Sequence, residues 1–486
     1  MDYRSTRGSK NEVNSAQAVL KGLADDGGLY MMKQMPEFDA ESCLAKDTKG
    51  MAKQILSTLL PDIPNMDTLV ERAYTGKFQT EELTPTVKVG PFTVLELFRG
   101  PTSAFKDVAL CMLPQLLTAA KAEEGMEEDI LILTATSGDT GKAALSGFAD
   151  VPGVGICVFY PDGGVSAVQR AQMVTQQGSN VRVCAVKGNF DDAQTGVKNI
   201  FAACAGGRLL EGKGFQLSSA NSINIGRLAP QITYYFKAYR DLLDRGEINL
   251  GDEVNFCVPT GNFGDILAGY LAKLLGLPVG KLICASNSNK VLTDFIRTGT
   301  YDRRRPLHKT DSPSMDILVS SNLERLLYLM SGQDCALVAD LMRQLNTEGF
   351  YTVPESLKDA IDEQFWADYA GDGATFETVR NVWDQYGYLC DTHTAVGWHV
   401  AKNYVNQTGD HRPMVVLSTA SPYKFPAAVL SAIGGDTSGD EFAQMEHLSA
   451  ITGVAIPANL SGLRELPELH TGVIGKDAML SYVLGE

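Results

Sequence analysis

The chain has no run of about 18 consecutive apolar residues, the length a membrane-crossing helix needs. It has no Cys-x-x-Cys pair, and its nine cysteines stand singly. A cysteine-ligated metal or a disulfide framework is therefore not expected. Most of these thiols lie in apolar stretches such as "GICVFY" and "NFCVP" and read as buried free thiols of a reducing compartment. Positive charge is also scarce: 42 Lys and Arg against 58 Asp and Glu give a formal net charge of −16. That balance excludes nonspecific binding to nucleic acid or to an anionic membrane. An anionic substrate would need a locally positive pocket. The opening residues, "MDYRSTRGSKNEV", lack the apolar core of a secretory leader, so a cytoplasmic protein is expected. Internal repeats and low-complexity segments are missing too.

What is present is the composition of an ordinary globular protein, 44% apolar and 21% charged over 486 residues, with length enough for two or three domains. Residues 1–90 read as a mostly helical segment. From there, apolar strand-like runs ("FTVLELF", "ILILTAT", "GVGICVFY", "NVRVCAV") alternate with helical stretches. The alternation resumes with "EVNFCVP", "KLICAS" and "MVVLSTA". Continuous apolar strands separated by helices indicate βαβ units and a parallel sheet covered on both faces. The reading is an α/β protein of two parallel-sheet lobes. The smaller spans 91–225 and the larger 226–486, with a helix-rich insertion near 290–390. "DRRRPLHK" at 302–309 reads as a solvated loop. A ligand site is expected between the lobes, at the carboxyl ends of the strands.

Four strand-to-helix turns stand out there. In "FRGPTSAFKDVAL", Lys106 opens a helix, where a cation opposes the helix dipole and a buried ammonium is costly. With a lowered pKa, such a lysine serves as an amine nucleophile or Schiff-base former; otherwise it is an exposed first-turn residue. In "TATSGDTGKAAL", Ser137, Gly138, Asp139 and Thr140 offer amides and hydroxyls to a carboxylate or phosphate. Thr136 and Ala143 stand where a P-loop needs Gly and Ser or Thr, so this is no nucleotide loop. In "VPTGNFGDILAG", the Gly261-Asn262-Phe263-Gly264 turn would aim free amides at an anion, with Asp265 as the first-turn charge of the helix. In "VVLSTASPYKF", a buried strand ends in the hydroxyls of Ser418 and Thr419.

Together these motifs resemble the fold type II pyridoxal-phosphate enzymes, of which the tryptophan synthase β chain is the pattern. With "SANSINIGRLAPQ" (219–231) and "DTHTAVG" (391–397), they resemble in particular the threonine synthases of the longer bacterial and fungal type. The resemblance runs from "YRSTRG" to "STASPYKF", nearly the whole chain. It departs from the family pattern at Ala420-Ser421-Pro422, where Ala-His-Pro is usual, and at Asp391-Thr392-His393-Thr394, where Asp-Pro-His-Thr is usual.

The resemblance implies pyridoxal 5'-phosphate carried on Lys106 as a Schiff base. Gly261, Asn262, Phe263, Gly264 and Asp265 would cradle its phosphate, and Thr419 (or Ser418) would meet the pyridine nitrogen. Ser137, Gly138, Asp139 and Thr140 would hold the substrate carboxylate or flank the ring, with Arg227 and Ser103 also at the substrate and Arg99 as a further cation. The implied reaction converts O-phospho-L-homoserine and water to L-threonine and phosphate. Another fold type II lyase (a hydroxy-amino-acid dehydratase or related phospho-lyase) and a non-catalytic cofactor-binding relative are the alternatives. His393 reads as a packed histidine before a catalytic one. The residues specify neither a monomer nor a homo-oligomer.

Overall fold

The computed structural model describes residues 1–136, 138–204 and 209–485. Its frame is two sheets. The six-stranded sheet runs, edge to edge, Phe365–Tyr369, Val279–Ser286, Val254–Pro259, Met414–Ser418, Phe92–Glu96 and Thr86–Val89, all parallel except the last. The five-stranded sheet runs Val473–Gly475, Val181–Lys187, Val154–Pro161, Asp129–Ala135 and Phe215–Ser218, wholly parallel. Val254–Pro259, Met414–Ser418 and Phe92–Glu96 are buried at every residue. Strands covered on both faces need no polar alternation, which is why they read as unbroken apolar runs.

Two features depart from the expected organisation. Phe92–Glu96, which its place in the chain groups with the smaller lobe, lies in the six-stranded sheet beside Met414–Ser418. Apolar periodicity marks a strand without naming its partner. Within the helix-rich stretch near 290–390, Phe365–Tyr369 extends the edge of the six-stranded sheet. The N-terminal segment is chiefly helical (Ser15–Lys21, Ala40–Leu44, Thr48–Leu59, Met66–Tyr74), with a small antiparallel pair, Tyr3–Ser5 and Tyr30–Met32.

The helix Lys106–Glu123 ties the site to the core. Every residue from Asp107 to Leu117 is buried, as a helix apolar on all sides requires. Its neighbour, Asp139–Phe148, touches it backbone to backbone: a Cβ built on Gly147 would lie 2.0 Å from the Leu110 carbonyl oxygen. The helices that carry Lys106 and Asp139 at their starts are thus locked against each other. Among the described residues, no helix is long and apolar enough to cross a membrane, and no cluster of His, Cys, Asp or Glu has the makings of a metal site. All nine cysteines are free and only Cys335 is not fully buried.

Candidate active site

A cavity of about 420 Å³ opens where the two sheets face each other, and three of the four turns singled out above, together with Thr419 of the fourth, line it. The lysine loop is bound to the strand-end loop by its backbone. The Phe105 amide donates to the Thr419 carbonyl (2.8 Å) and the Ser421 amide to the Ser103 carbonyl (3.1 Å). This brings Lys106 and Thr419 to one wall. The Lys106 Nζ lies 4.8 Å from the centre of the Phe105 ring, and among the described residues no hydrogen bond or ion pair holds it. Burial pushes its ammonium down, Asp139 pulls the other way, and Lys424 and Arg227 add to the push, leaving it at about 8. Asp107, next in the helix, turns away to accept from the Thr102 amide (2.8 Å) and hydroxyl.

On the facing lobe, the turn after Asp129–Ala135 is folded by Thr136, whose hydroxyl accepts from the Gly138 and Gly141 amides, both at 3.0 Å. Gly138 has φ 145°, and a side chain there would strike Gln169. Thr140 lines the cavity. Asp139 does not present a free carboxylate. It is paired at 2.6 Å with Lys424, whose ammonium is wholly buried and also donates to the Thr102 carbonyl. Burial alone would raise the Asp139 carboxyl, but Lys424 and then Lys106 hold it well below the usual carboxylate range. Ser137 lies outside the described residues.

The third turn, between Val254–Pro259 and the helix Gly264–Leu274, reverses at Phe263, which takes the left-handed conformation (φ 62°). Its close approach falls at Gly261, where a Cβ would meet the Ser314 carbonyl oxygen at 2.7 Å. Gly264 has only ordinary contacts around a Cβ, Asn322 at 3.4 Å being the nearest. The loop is held from behind: the Asn322 amide donates to the Asn262 carbonyl and the Ser320 hydroxyl to the Gly261 carbonyl. Asp265 accepts at Oδ1 from Tyr234 and Tyr235, while Oδ2 has no partner among the described residues.

Of the remaining candidates, Arg227 lines the cavity, is 3% exposed and meets no carboxylate among the described residues. One guanidinium nitrogen donates to the Ala220 carbonyl (2.6 Å), Nε has no partner among the described residues, and burial pushes the group down to about 10. Thr419 lines the cavity; Ser418 is engaged by the Thr394 hydroxyl at 2.8 Å. Ser103 and Arg99 are not among the lining residues. The Ser103 hydroxyl is bonded to Asn459, and Arg99 is paired with Glu96 at 2.5 Å. His393 is buried on the wall with Nδ1 on Asp391 (2.7 Å) and Nε2 accepting from the Ser314 amide (3.1 Å). That acceptor role puts the ring proton on Nδ1.

Sequence reasoning passed over Lys424 and Ser314. Lys424 sits inside the quoted "SPYKF", where a lysine after a buried strand is the same signal that drew notice to Lys106. Ser314, in the helix-rich insertion, carries no local sign of a site.

The arrangement suits a phosphorylated aldehyde cofactor: an unpaired amine, a turn whose backbone an added side chain at Gly261 would obstruct, and a hydroxyl at a strand end. The family described as pyridoxal-phosphate dependent enzymes matches residues 74–420, and this is the class that the fold and the cavity define. On either side lie matches to the threonine synthase N terminus (2–74) and the threonine synthase C-terminal family (394–478). The chain is 41% identical to the threonine synthase of Pseudomonas aeruginosa over 97% of its own length and 95% of that protein's. It is 39% identical to threonine synthase-like 1 of Macaca fascicularis over 86% of its length, and spans only 58% of that longer protein. The crystal structure of PLP-bound threonine synthase from Brucella melitensis superposes with a TM-score of 0.89 at 38% identity, covering 100% of this chain and 99% of that one. The chain belongs to the threonine synthase family.

Proposed function

We propose that this chain converts O-phospho-L-homoserine and water to L-threonine and phosphate, using pyridoxal 5'-phosphate held on Lys106. The observation that carries the reading is a lysine amine with no hydrogen bond or ion pair among the described residues, its pKa lowered to about 8, on the wall of the interlobe cavity of a threonine synthase family member. When bound, the cofactor supplies an electron sink for the negative charge that develops on substrate carbons. The amides of 261–264 and the start of the helix Gly264–Leu274 would hold its phosphate, and the Thr419 hydroxyl would serve as partner to its ring nitrogen.

The rest is done by the chain's own groups. The Lys106 Nζ, when not bonded to the cofactor, would stand as an amine within the cavity. A pKa near 8 lets it both accept and return protons at Cα, Cβ and Cγ near neutral pH. Phosphate leaves from Cγ and water adds at Cβ. Arg227, buried with no carboxylate partner among the described residues, offers its fork to the leaving phosphate. The substrate carboxylate goes to the amides and the Thr140 hydroxyl of the 138–140 turn; Asp139, already paired with Lys424, keeps Lys424 neutralised instead. Nine free thiols suit a reducing, cytoplasmic setting.

The deciding assay measures phosphate release and threonine formation from O-phospho-L-homoserine. Equal amounts of the two support the reading. Turnover of hydroxy-amino acids alone, or cofactor binding without turnover, overturns it.

A further inference from the structure

Arg325 is a completely buried cation, and among the described residues no carboxylate pairs with it. Its neighbour Glu324 is taken by Arg7 at 2.7 Å. A lone buried charge is costly unless its donors are used, and this one spreads them over three segments of the chain. Nε and one terminal nitrogen donate to the Tyr30 carbonyl of the N-terminal segment (3.1 and 3.0 Å). The same terminal nitrogen reaches the Ile223 carbonyl (2.6 Å), and the other donates to the side-chain oxygen of Asn322. Asn322 stands at the start of the helix Leu323–Met330, where an asparagine commonly caps its own helix, yet its side chain makes no cap bond. Instead its side-chain nitrogen donates to the Ser222 carbonyl (3.1 Å), while its backbone amide holds the Asn262 carbonyl (3.0 Å) of the 261–264 turn. A donor on one side and a carbonyl on the other leave that side-chain amide a single orientation.

The segment so held faces the site. Ser222 and Ile223 line the cavity, and two residues before Ser222 the Ala220 carbonyl accepts from the Arg227 guanidinium. Carbonyls 222 and 223 are pinned from behind, and carbonyl 220 steadies Arg227 in front. Resting on the functional reading above, we propose that Arg325, acting with Asn322, is a positioning residue: it fixes the 220–223 segment, and with it the Arg227 fork, at a set distance from the 261–264 turn. The seat for the cofactor's phosphate and the arginine for the substrate's phosphate are thereby kept in register, although neither Arg325 nor Asn322 is among the residues that line the cavity. Arginine suits the task because its planar fork spans acceptors in several directions, which a single ammonium cannot.

The test uses the full chain loaded with pyridoxal 5'-phosphate and steady-state kinetics with O-phospho-L-homoserine. Arg325→Lys keeps the charge but cannot reach all three acceptors, so kcat/KM should fall about tenfold. The dissociation constant of pyridoxal 5'-phosphate should stay within about threefold, because the Asn322 amide and the Ser320 hydroxyl still hold the turn. In an Arg227→Ala background the same substitution should lower kcat/KM by less than about twofold, since residues that act through one another do not add. A purely structural role would lower it equally in both backgrounds. That equal fall overturns this inference alone, as does an unchanged kcat/KM, a loss of cofactor affinity matching the loss of kcat/KM, or near wild-type kinetics in Arg227→Ala. Should Arg325→Lys fail to fold, Asn322→Ala carries the same comparison. A wild-type chain that does not turn over O-phospho-L-homoserine overturns the functional reading and this inference together.

Discussion

Lys106 and Arg227 are both cations placed where burial works against charge, and among the described residues neither forms an ion pair with a carboxylate, although Asp139 lies near enough to Lys106 to oppose the push. For Lys106 the consequence is reactivity. Borohydride reduction of the cofactor-loaded protein should fix the cofactor on the peptide containing Lys106; mass mapping that finds the label elsewhere refutes the assignment. Because its ammonium is pushed down to about 8, the neutral amine grows as pH rises through that value. Capture of the aldehyde by stripped protein should therefore accelerate from pH 7 to 9, instead of only near the pH of an ordinary lysine. For Arg227 the consequence is recognition. Arg227→Lys keeps the charge but loses the fork, and Arg227→Ala loses both. Hydrogen bonds to charged groups are worth about 1.5–3 kcal/mol each, so kcat/KM for O-phospho-L-homoserine should fall roughly tenfold to a hundredfold with cofactor absorbance intact. Near wild-type kinetics in both variants would remove Arg227 from the substrate site. Arg99 is a poor substitute, since Glu96 already holds it.

At the scale of elements, the 261–264 turn shows what a motif discloses and what it hides. Two glycines flanking Asn262 and Phe263 announce a tight strand-to-helix turn. They suggest Gly264, against the helix, as the point of close approach. In the folded turn the left-handed residue is Phe263 and the crowded one is Gly261, pressed on the Ser314 carbonyl from a distant loop. That neighbour comes from the helix-rich insertion, so no local pattern could reveal it. Gly261→Val should therefore weaken cofactor affinity at least tenfold, because the turn or the Ser314 loop must shift. Gly264→Ala should leave affinity within a factor of about three, given contacts no closer than 3.4 Å. Titration of stripped protein with pyridoxal 5'-phosphate compares the two, and the reverse order would contradict this account.

Across the whole molecule, the Asp139–Lys424 pair joins the start of a helix packed on one sheet to the turn that follows a strand of the other. Both side chains are nearly inaccessible, so removing one partner strands a buried charge, at a cost of about 3–5 kcal/mol. Asp139→Asn should lower stability by about that amount in urea unfolding of the stripped protein. Asp139→Asn with Lys424→Met should recover most of the loss. A single variant as stable as the wild type would show that the pair does not hold the lobes. The pH sign follows from the lowered Asp139 carboxyl: its contribution is fully present above the usual carboxylate range and is lost only as the pH falls through the acid region below it.

The central apolar strands, their burial on both faces, and the residue types at each of the four strand-to-helix turns were determined by the sequence alone, because apolar runs and turn residues act through neighbours in the chain. So were Lys106, Arg227 and Thr419 as candidates. Tertiary structure decided which strands share a sheet: Phe92–Glu96 finds Met414–Ser418 across most of the chain. It also decided which side chains are already spent. Asp139 is neutralised by Lys424, Arg99 by Glu96, Ser103 is bonded to Asn459, and Ser418 to Thr394. A side chain's availability depends on what lies against it, and burial and pairing are set by contacts between residues far apart in sequence.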